Sequence, residues 1–271
     1  MPRELGDVLH YFIPELEEGS EATDPSAPAL AVPLLGRDVV RASLLWNLAV
    51  EAARQGARAT LVAAAAGADA PWPSAGLQPL GVDVIEVAGD EPSALARSAE
   101  AAAQSAAAAR TGPSLVLAGV PAPWLAKGAD AGSLLRWVVA LVRPEESESQ
   151  ETWSVLEAVA VQAPRARLGA AIFGVRSLAE ARRTFERLAA RVERELSRTL
   201  ASYGVLIDDV ELSRSIVTRR PIALVHPASA AARALADVAS LCLADASERS
   251  APGPSTRGAG VPGAGLGPSF G

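Results

Sequence analysis

The residues best placed to do chemistry lie in a short turn between two apolar segments. Residues 29–35 form an apolar run and residues 39–53 are apolar on almost every side, which predicts a buried strand followed by a buried helix. Nucleotide-binding α/β proteins hold phosphate at such a junction, through backbone N–H groups that glycines leave accessible. Residues 36–42 read Gly-Arg-Asp-Val-Val-Arg-Ala, with one glycine. The position is that of a phosphate loop, but most of the glycines that such a loop needs are missing.

Other reactive side chains do not form a recognisable site. His10 and His226 are far from Cys242 and from each other in the sequence, so no metal-ligand spacing exists. We predict ordinary surface or packing roles for both histidines and a buried core thiol for Cys242. Paired carboxylates near Pro144 could hold a metal or exchange protons. We interpret them as a solvated turn that leads into a helix, because helix N-termini favour carboxylates. These carboxylates are Glu145, Glu146, Glu148 and Glu151.

Composition bounds the class of protein. The chain has 271 residues, 49% hydrophobic composition and a formal net charge of −6, which favours one sizeable α/β domain. A single cysteine implies no disulfide framework, and no run of about 18 uncharged apolar residues predicts a membrane-spanning helix. The negative charge argues against sequence-independent binding to nucleic acid. We therefore expect a cytoplasmic protein without membrane insertion.

Short apolar runs alternate with helical patterns along the chain. This alternation predicts a mainly parallel, doubly wound α/β sheet with helices on both faces. Besides 29–35, the predicted strands are 58–64, 82–87, 115–117, 137–142, 168–173, 203–207 and 222–225. Besides 39–53, the predicted helices are 92–110, 151–161, 178–200, 210–218 and 229–243.

The chain divides into three regions. Residues 1–28 are an apolar peptide with an acidic linker, residues 29–246 form the α/β domain, and residues 247–271 form a disordered tail rich in Gly, Pro and Ser. Apolar residues recur at helical spacing in the N-terminal peptide. That peptide either docks on its own domain or is presented to the groove of a partner. The partner-binding candidates are Val8, Leu9, Tyr11, Phe12 and Ile13.

Two basic segments could contact an acidic partner. The helix predicted over 178–200 interleaves arginines with glutamates, which favours a salt-bridged exposed face over a DNA-binding stripe. Arg214, Arg219 and Arg220 form a second basic spot with fewer acids beside it. Any contact with DNA or phospholipid would start at that spot.

Four stretches in fixed order carry a resemblance to a known family. They are SLLWNLAVEAARQGARATLVAA (43–64), VVALVRPEESESQETWSVLEAV (138–159), GAAIFGVRSLAEARRTFERL (169–188) and YGVLIDDVELSRSIVTRRPIALVHPASAAARALADVA (203–239). With them, the span 29–243 resembles the MinD/ParA family of deviant P-loop ATPases, in particular its FlhG-like branch. The resemblance implies a P-loop NTPase-like fold of the SIMIBI type.

Alignment on Asn47 places the family's phosphate loop, Gly-Lys-Gly-Gly-Val-Gly-Lys-Thr, on residues 35–42. The signature lysine then falls on Gly36, the phosphate-binding lysine on Arg41 and the magnesium-binding threonine on Ala42. The family's adenine-contacting asparagine–arginine pair falls on Phe173-Gly174. The carboxylates that the family carries after its second strand and its Walker-B-like strand are also missing.

Each departure has a physical consequence for nucleotide binding. Val40 is β-branched and resists the positive φ that a phosphate nest needs. Asp38 would set a carboxylate beside a triphosphate, and Ala42 has no hydroxyl for Mg²⁺. A register slip brings Ser43 to the hydroxyl position without restoring the glycines. Loss of the nest and of the metal ligand together should weaken ATP binding by about three decades.

The residues and the resemblance together predict a pseudo-ATPase. The expected function is a catalytically inactive protein-interaction module without a cofactor. What the resemblance implies is a role in bacterial spatial organisation, or in assembly of a cell-surface or division machine. One alternative is a weak ATPase that binds ATP and Mg²⁺, and another is a DNA-associated partition protein. The degenerate loop comprises Gly36, Arg37, Asp38, Arg41 and Ala42.

Two further expectations concern the emptied site. Because Gly36 replaces the signature lysine of the family's nucleotide-dependent dimer, we expect a monomer or a nucleotide-independent dimer. Trp72 and Trp124 lie in predicted loops that face the strand ends where ligands bind. We expect their side chains to fill the vacated pocket.

Overall fold

The computed structural model describes residues 29–35, 39–65, 70–72, 81–89, 91–109, 112–126 and 132–250. The predictions for the N-terminal peptide and for the first half of the loop lie outside these ranges. The residues concerned are Val8, Leu9, His10, Tyr11, Phe12, Ile13, Gly36, Arg37 and Asp38.

The described residues form a seven-stranded sheet in which neighbouring strands pair in parallel. The strand order is β3-β2-β4-β1-β5-β6-β7. The strands are β1 (Leu30–Leu34), β2 (Arg58–Ala64), β3 (Asp83–Val87), β4 (Ser114–Pro121), β5 (Trp137–Val142), β6 (Arg167–Val175) and β7 (Leu200–Ile207). The predicted parallel sheet is therefore confirmed.

Helices cover both faces of the sheet, as predicted for a doubly wound fold. The helices are α1 (Val39–Arg54), α2 (Pro92–Ala109), α3 (Ala122–Ala126), α4 (Glu146–Gln162), α5 (Leu178–Leu196), α6 (Val210–Thr218), α7 (Ile222–Val225) and α8 (Ala230–Ser250), with a 3₁₀ turn at Gly132–Arg136. The core on one face is built from α1, α6, α7 and α8. The core on the other is built from α2, α3, α4 and α5.

Strand β5 shows why its sequence reads as a continuous apolar run. Trp137, Val139 and Leu141 belong to the core on the α1 face, whereas Val138 and Val142 belong to the opposite core. Successive side chains point to opposite faces of a strand. A central strand between two helical layers therefore needs an apolar residue at every position.

Several elements differ from the predictions: β4 spans Ser114–Pro121 and not 115–117, α4 begins at Glu146 and not at residue 151, and β7 begins at Leu200 and not at residue 203.

Three further differences change the type or the end of an element. Residues 222–225 form the short helix α7 and not a strand, because four apolar residues carry too little periodicity to separate the two. The helix predicted to reach residue 200 ends at Leu196, where Ser197 adopts the left-handed conformation with φ 53°. The last helix continues to Ser250, so residues 247–250 are helical and not part of a disordered tail. The rest of that predicted tail lies outside the described residues.

Candidate functional site

The topology creates a crevice at the carboxyl ends of β1 and β5. These strands are neighbours, with Ala31 paired to Val138. Helix α1 follows β1 on one face, and helix α4 follows β5 on the other. Ligands of open α/β sheets bind where the connections of neighbouring strands diverge in this way. Residues at the start of α1 and α4 therefore line the expected ligand site.

Arg41, in the first turn of α1, points back into the protein. Its side chain is 2% exposed. Nε donates a hydrogen bond to the carbonyl oxygen of Leu141 at 3.0 Å, and Nη2 donates to Oε2 of Glu148 at 2.7 Å. The cation at the position of the phosphate-binding lysine therefore joins α1 to the end of β5 and to α4.

Glu148 brings a second arginine into the same cluster. Its Oε1 lies 3.5 Å from Nη1 of Arg143, the residue that follows β5. Ser149 Oγ donates to the carbonyl oxygen of Arg143 at 3.3 Å, which ties the turn to the first turn of α4. The N-terminal end of a helix also favours a carboxylate. Sequence and local structure therefore place one negative charge between two guanidinium groups.

Phe173, near the end of β6, completes the cluster. The guanidinium carbons of Arg41 and Arg143 each lie 5.0 Å from the centroid of its buried ring. This separation is within the range of a cation–π interaction. Position 173, which the resemblance aligns with an adenine-contacting amide, therefore holds a buried aromatic ring. We call Arg41, Leu141, Arg143, Glu148 and Phe173 the carboxyl-edge cluster.

Asn47, on α1, forms two hydrogen bonds that stabilise the fold. Its Nδ2 donates to the carbonyl oxygen of Ser43 at 2.7 Å, and its Oδ1 accepts the backbone N–H of Ile222 at 2.7 Å. This pair of bonds fastens α7 to α1. The hydroxyl of Ser43 is buried and has no hydrogen-bond partner among the described residues.

The described residues do not fit ATP with Mg²⁺. Arg41 is engaged by Glu148, and Ala42 offers no hydroxyl to a metal. Strand β2 ends at Ala64 without a carboxylate. At Gly119 of β4, the position of a Cβ atom lies 3.0 Å from Leu34 Cδ1, so that strand end is also closely packed. Within the part of the chain that is described, no cluster of three or more His, Cys, Asp or Glu residues could hold a metal ion.

Of the two tryptophans expected to fill the pocket, Trp72 lies elsewhere. Trp72 is buried and donates from Nε1 to Glu86 Oε1 at 2.7 Å, which attaches it to β3 at the edge of the sheet. Trp124 lies on α3 and packs against the core of the α2–α5 face. The prediction is wrong for Trp72, because the crevice between β1 and β5 is occupied by the carboxyl-edge cluster instead.

The predicted solvated turn near Pro144 describes some of its carboxylates and not Glu148. Glu145 and Glu146 are exposed, as a solvated turn requires. Glu148 is different, because it holds Arg41 and Arg143 together. The signal that could have revealed it is an arginine–proline–glutamate sequence at the end of the strand beside the degenerate loop. Arg143, Glu148 and the aromatic contacts of Phe173 are thus the site features that sequence reasoning missed.

The remaining predicted residues have ordinary roles. Cys242 is fully buried, and burial raises the pKa of its thiol. The predicted core thiol is confirmed. His226 is at the surface, with Nε2 3.0 Å from Glu211 Oε2. On α5, Arg182 pairs with Glu186, consistent with a salt-bridged exposed face.

A second polar cluster lies at the amino ends of the strands. Trp137 Nε1 donates to the Tyr203 hydroxyl at 2.8 Å, and that hydroxyl donates to the Asp245 carboxylate. Arg167 Nη2 lies 3.0 Å from Asp245 Oδ2, and the guanidinium carbon of Arg249 lies 5.1 Å from the centroid of a Trp137 ring. Burial, followed by the hydrogen bond to Asp245, raises the pKa of Tyr203. We call these five residues the amino-edge cluster; it fastens α8 to β5, β6 and β7.

The helices in the described part of the chain were compared with the requirements for crossing a membrane, and none meets them. None of the helices there combines the length and the apolar character that crossing a bilayer requires.

Comparison with solved structures identifies the fold. The MinD cell division protein of Aquifex aeolicus matches with a TM-score of 0.57 and 15% sequence identity, over 80% of this chain and 97% of that chain. A ParA family ATPase from Chlorobium tepidum TLS matches with a TM-score of 0.51 and 11% identity, over 79% and 98%. The Pyrococcus furiosus cell division ATPase MinD matches with a TM-score of 0.51 and 14% identity, over 82% and 100%.

The sequence itself gives no such match. No protein-family model matches the chain, and no curated protein matches it in sequence. The chain therefore has a MinD/ParA-like P-loop NTPase fold, established by structure at sequence identities of 11–15%.

Proposed function

We propose that this chain is a MinD/ParA-like domain that binds protein partners and does not hydrolyse ATP. The observation that carries the proposal is the state of Arg41. The residue at the position of the phosphate-binding lysine is buried, bonded to Glu148 and Leu141, and placed over Phe173. A phosphate group would have to displace Glu148 before it could reach this cation.

Besides the Glu148 carboxylate in front of Arg41, groups that ATP and Mg²⁺ need are missing. Ala42 supplies no metal ligand, and β2 ends without a carboxylate. The loss of the phosphate nest and of the metal ligand, each of which contributes to binding and to charge stabilisation, should weaken ATP binding by about three decades. Such a loss takes a micromolar dissociation constant to about 1 mM, at which ATP in the micromolar range leaves the site almost empty.

Two observations support a role in protein interaction. Val210 and Val217 are seven residues apart on one face of α6 and are 62% and 83% exposed. Exposed apolar side chains that share a helix face are typical of contact surfaces. A structure similar to this chain is described as a MinC:MinD cell division protein complex from Aquifex aeolicus. We accordingly propose a cytoplasmic role in spatial organisation, or in assembly of a division or cell-surface machine.

Calorimetric titration with ATP, with and without Mg²⁺, tests the nucleotide part of the proposal. We expect a dissociation constant of about 1 mM or weaker, so that ATP in the micromolar range gives no binding heat. The Pyrococcus furiosus cell division ATPase is the matched positive control. A micromolar dissociation constant for this chain would contradict the proposal and favour the weak-ATPase alternative.

Affinity capture tests the interaction part. The full chain, the chain without residues 1–20 and a Val210→Asp/Val217→Asp variant serve as baits, and captured proteins are identified by mass spectrometry. Val161→Asp is the control, because Val161 is 75% exposed on α4, on the other face of the sheet. A partner retained by V161D, lost by the α6 variant and unaffected by ATP supports the proposal. Equal capture by all baits argues against the α6 surface.

A further inference from the structure

We infer that Glu148 is a built-in anion that occupies the place of a phosphate group, and that its removal uncovers an oxyanion site formed by Arg41 and Arg143. The inference rests on the proposed function, because it explains how a P-loop position works without nucleotide. In the intact chain the Glu148 carboxylate blocks this site, and inorganic phosphate binds there once the carboxylate is removed.

The geometry is that of a bound anion. The two oxygens of Glu148 face different guanidinium groups, with Oε2 2.7 Å from Arg41 Nη2 and Oε1 3.5 Å from Arg143 Nη1. Arginine forks bind carboxylate and phosphate through the same type of charge-assisted hydrogen bond. The carboxylate therefore makes with Arg41 the hydrogen bond that a phosphate oxygen would make, and it lies within ion-pair distance of Arg143.

The cluster also has donor capacity that Glu148 does not use. Arg143 Nε is buried and has no hydrogen-bond partner among the described residues. Buried polar groups usually find a partner. An oxyanion with more acceptor oxygens than a carboxylate can offer an acceptor to this N–H group of Arg143 as well.

Among the described residues of the cluster, the side chains of Glu148 and Arg143 reach solvent and that of Arg41 does not. Their side chains are 26% and 33% exposed, whereas that of Arg41 is 2% exposed. Truncation of Glu148 therefore leaves a gap that a small ion can enter from solvent. The buried guanidinium of Arg41 forms its inner wall, and the ring of Phe173 supports both cations. In the intact chain the carboxylate keeps this gap closed.

Thermal unfolding of the Glu148→Ala chain tests the inference, with inorganic phosphate as the probe. The melting temperature is measured in about 50 mM phosphate and in chloride of equal ionic strength, because a ligand that binds only the folded state raises Tm. We expect the variant to melt below the wild type in chloride and to regain about 2–4 °C in phosphate. The wild type should not respond to the exchange of anions.

Three variants make the result specific. Glu146→Ala removes an exposed carboxylate from the same turn of α4 and should behave as the wild type. Arg41→Met/Glu148→Ala lacks one of the two guanidinium groups and should lose the phosphate response. Glu148→Ser is the second truncation, to be used if the alanine variant does not fold. An acetate arm distinguishes carboxylate from phosphate as the preferred oxyanion, and a stronger response to phosphate is expected.

The outcomes separate the two proposals. If folded E148A or E148S shows no anion-dependent rise in Tm, the oxyanion site is refuted while the proposed function stands. The inference also fails if E146A responds to phosphate as strongly as E148A, or if acetate restores Tm more than phosphate. ATP binding by the wild type would overturn the proposed function directly, since it would mean that Glu148 does not close the site.

Discussion

The two polar clusters at opposite ends of the sheet are built from the same parts. Each contains two arginines, an aromatic ring that lies near a guanidinium group and a carboxylate. Glu148 pairs with both arginines at the carboxyl edge, whereas Asp245 pairs with Arg167 at the amino edge. Both carboxylates come from helices, α4 and α8, that close over the strand ends. Chemistry alone would therefore assign them the same role.

Their positions in the topology separate them. The carboxyl-edge cluster lies where α1 and α4 diverge from neighbouring strands, which is where ligands bind in this class of sheet. The amino-edge cluster lies at the opposite ends of the strands, and its bonds join α8 to three strands. The comparison teaches that the same kind of arginine–carboxylate pair can lie at the expected ligand site, as in the carboxyl-edge cluster, or join a helix to the sheet, as in the amino-edge cluster.

Among substitutions in the amino-edge cluster, we expect Trp137→Ala to cause the largest loss of stability. Trp137 is fully buried, donates to Tyr203 and packs beneath Arg249. Its removal should lower the free energy of unfolding by about 3–5 kcal/mol, since a large cavity is left. Urea unfolding followed by circular dichroism measures the loss. Trp124→Ala, at a half-buried position on α3, is the control and should cost clearly less. An equal cost for both would mean that the cluster adds nothing to ordinary packing.

Removal of the shared carboxylate should have the next largest effect. Asp245→Ala leaves the Tyr203 hydroxyl and Arg167 without their common acceptor. We expect a loss of about 2 kcal/mol in the free energy of unfolding, because the hydroxyl of the buried Tyr203 loses its acceptor. Asp237→Ala, at an exposed position of the same helix, should change it little. A similar small change for both variants would show that Asp245 does not hold α8 in place.

The smallest effect is a pH dependence confined to the amino edge. Burial and Asp245 raise the pKa of Tyr203, so the folded chain keeps this proton after the unfolded chain has begun to release it. The stabilising contribution is complete below about pH 10, the pKa of an ordinary tyrosine, and declines above it by about 1.4 kcal/mol per pH unit. Trp137, Arg167 and Arg249 are the other groups of the cluster around this hydroxyl.

Denaturant unfolding between pH 8 and 11 measures this slope. The Cys242→Ala background is used, because the pKa of the buried Cys242 thiol is also raised and Cys242 would release a second proton from the unfolded chain. Tyr203→Phe in that background should reduce the decline by the equivalent of one proton. An unchanged slope would show that Tyr203 is not the titrating group.

Much of the fold was predictable because a parallel sheet buries both faces of its strands. Strands β2 and β5 match the apolar runs at 58–64 and 137–142 residue for residue. The α7 segment was not predictable in the same way. Its four apolar residues suit a strand or a helix, and the bond from Ile222 N–H to Asn47, 175 positions away, is part of what holds it as a helix end.

The sequence by itself determined the alternation of strands and helices and the residue types at the turn between β1 and α1, where one glycine and no hydroxyl stand at positions 36–42. These are local properties, since each depends on the residue type at one position or on the spacing within one element. Only the tertiary structure decided what fills the site. Glu148 lies 107 positions after Arg41, and the two meet because α1 and α4 leave neighbouring strands at the same edge of the sheet. A contact of that kind follows from strand order, which no single segment encodes.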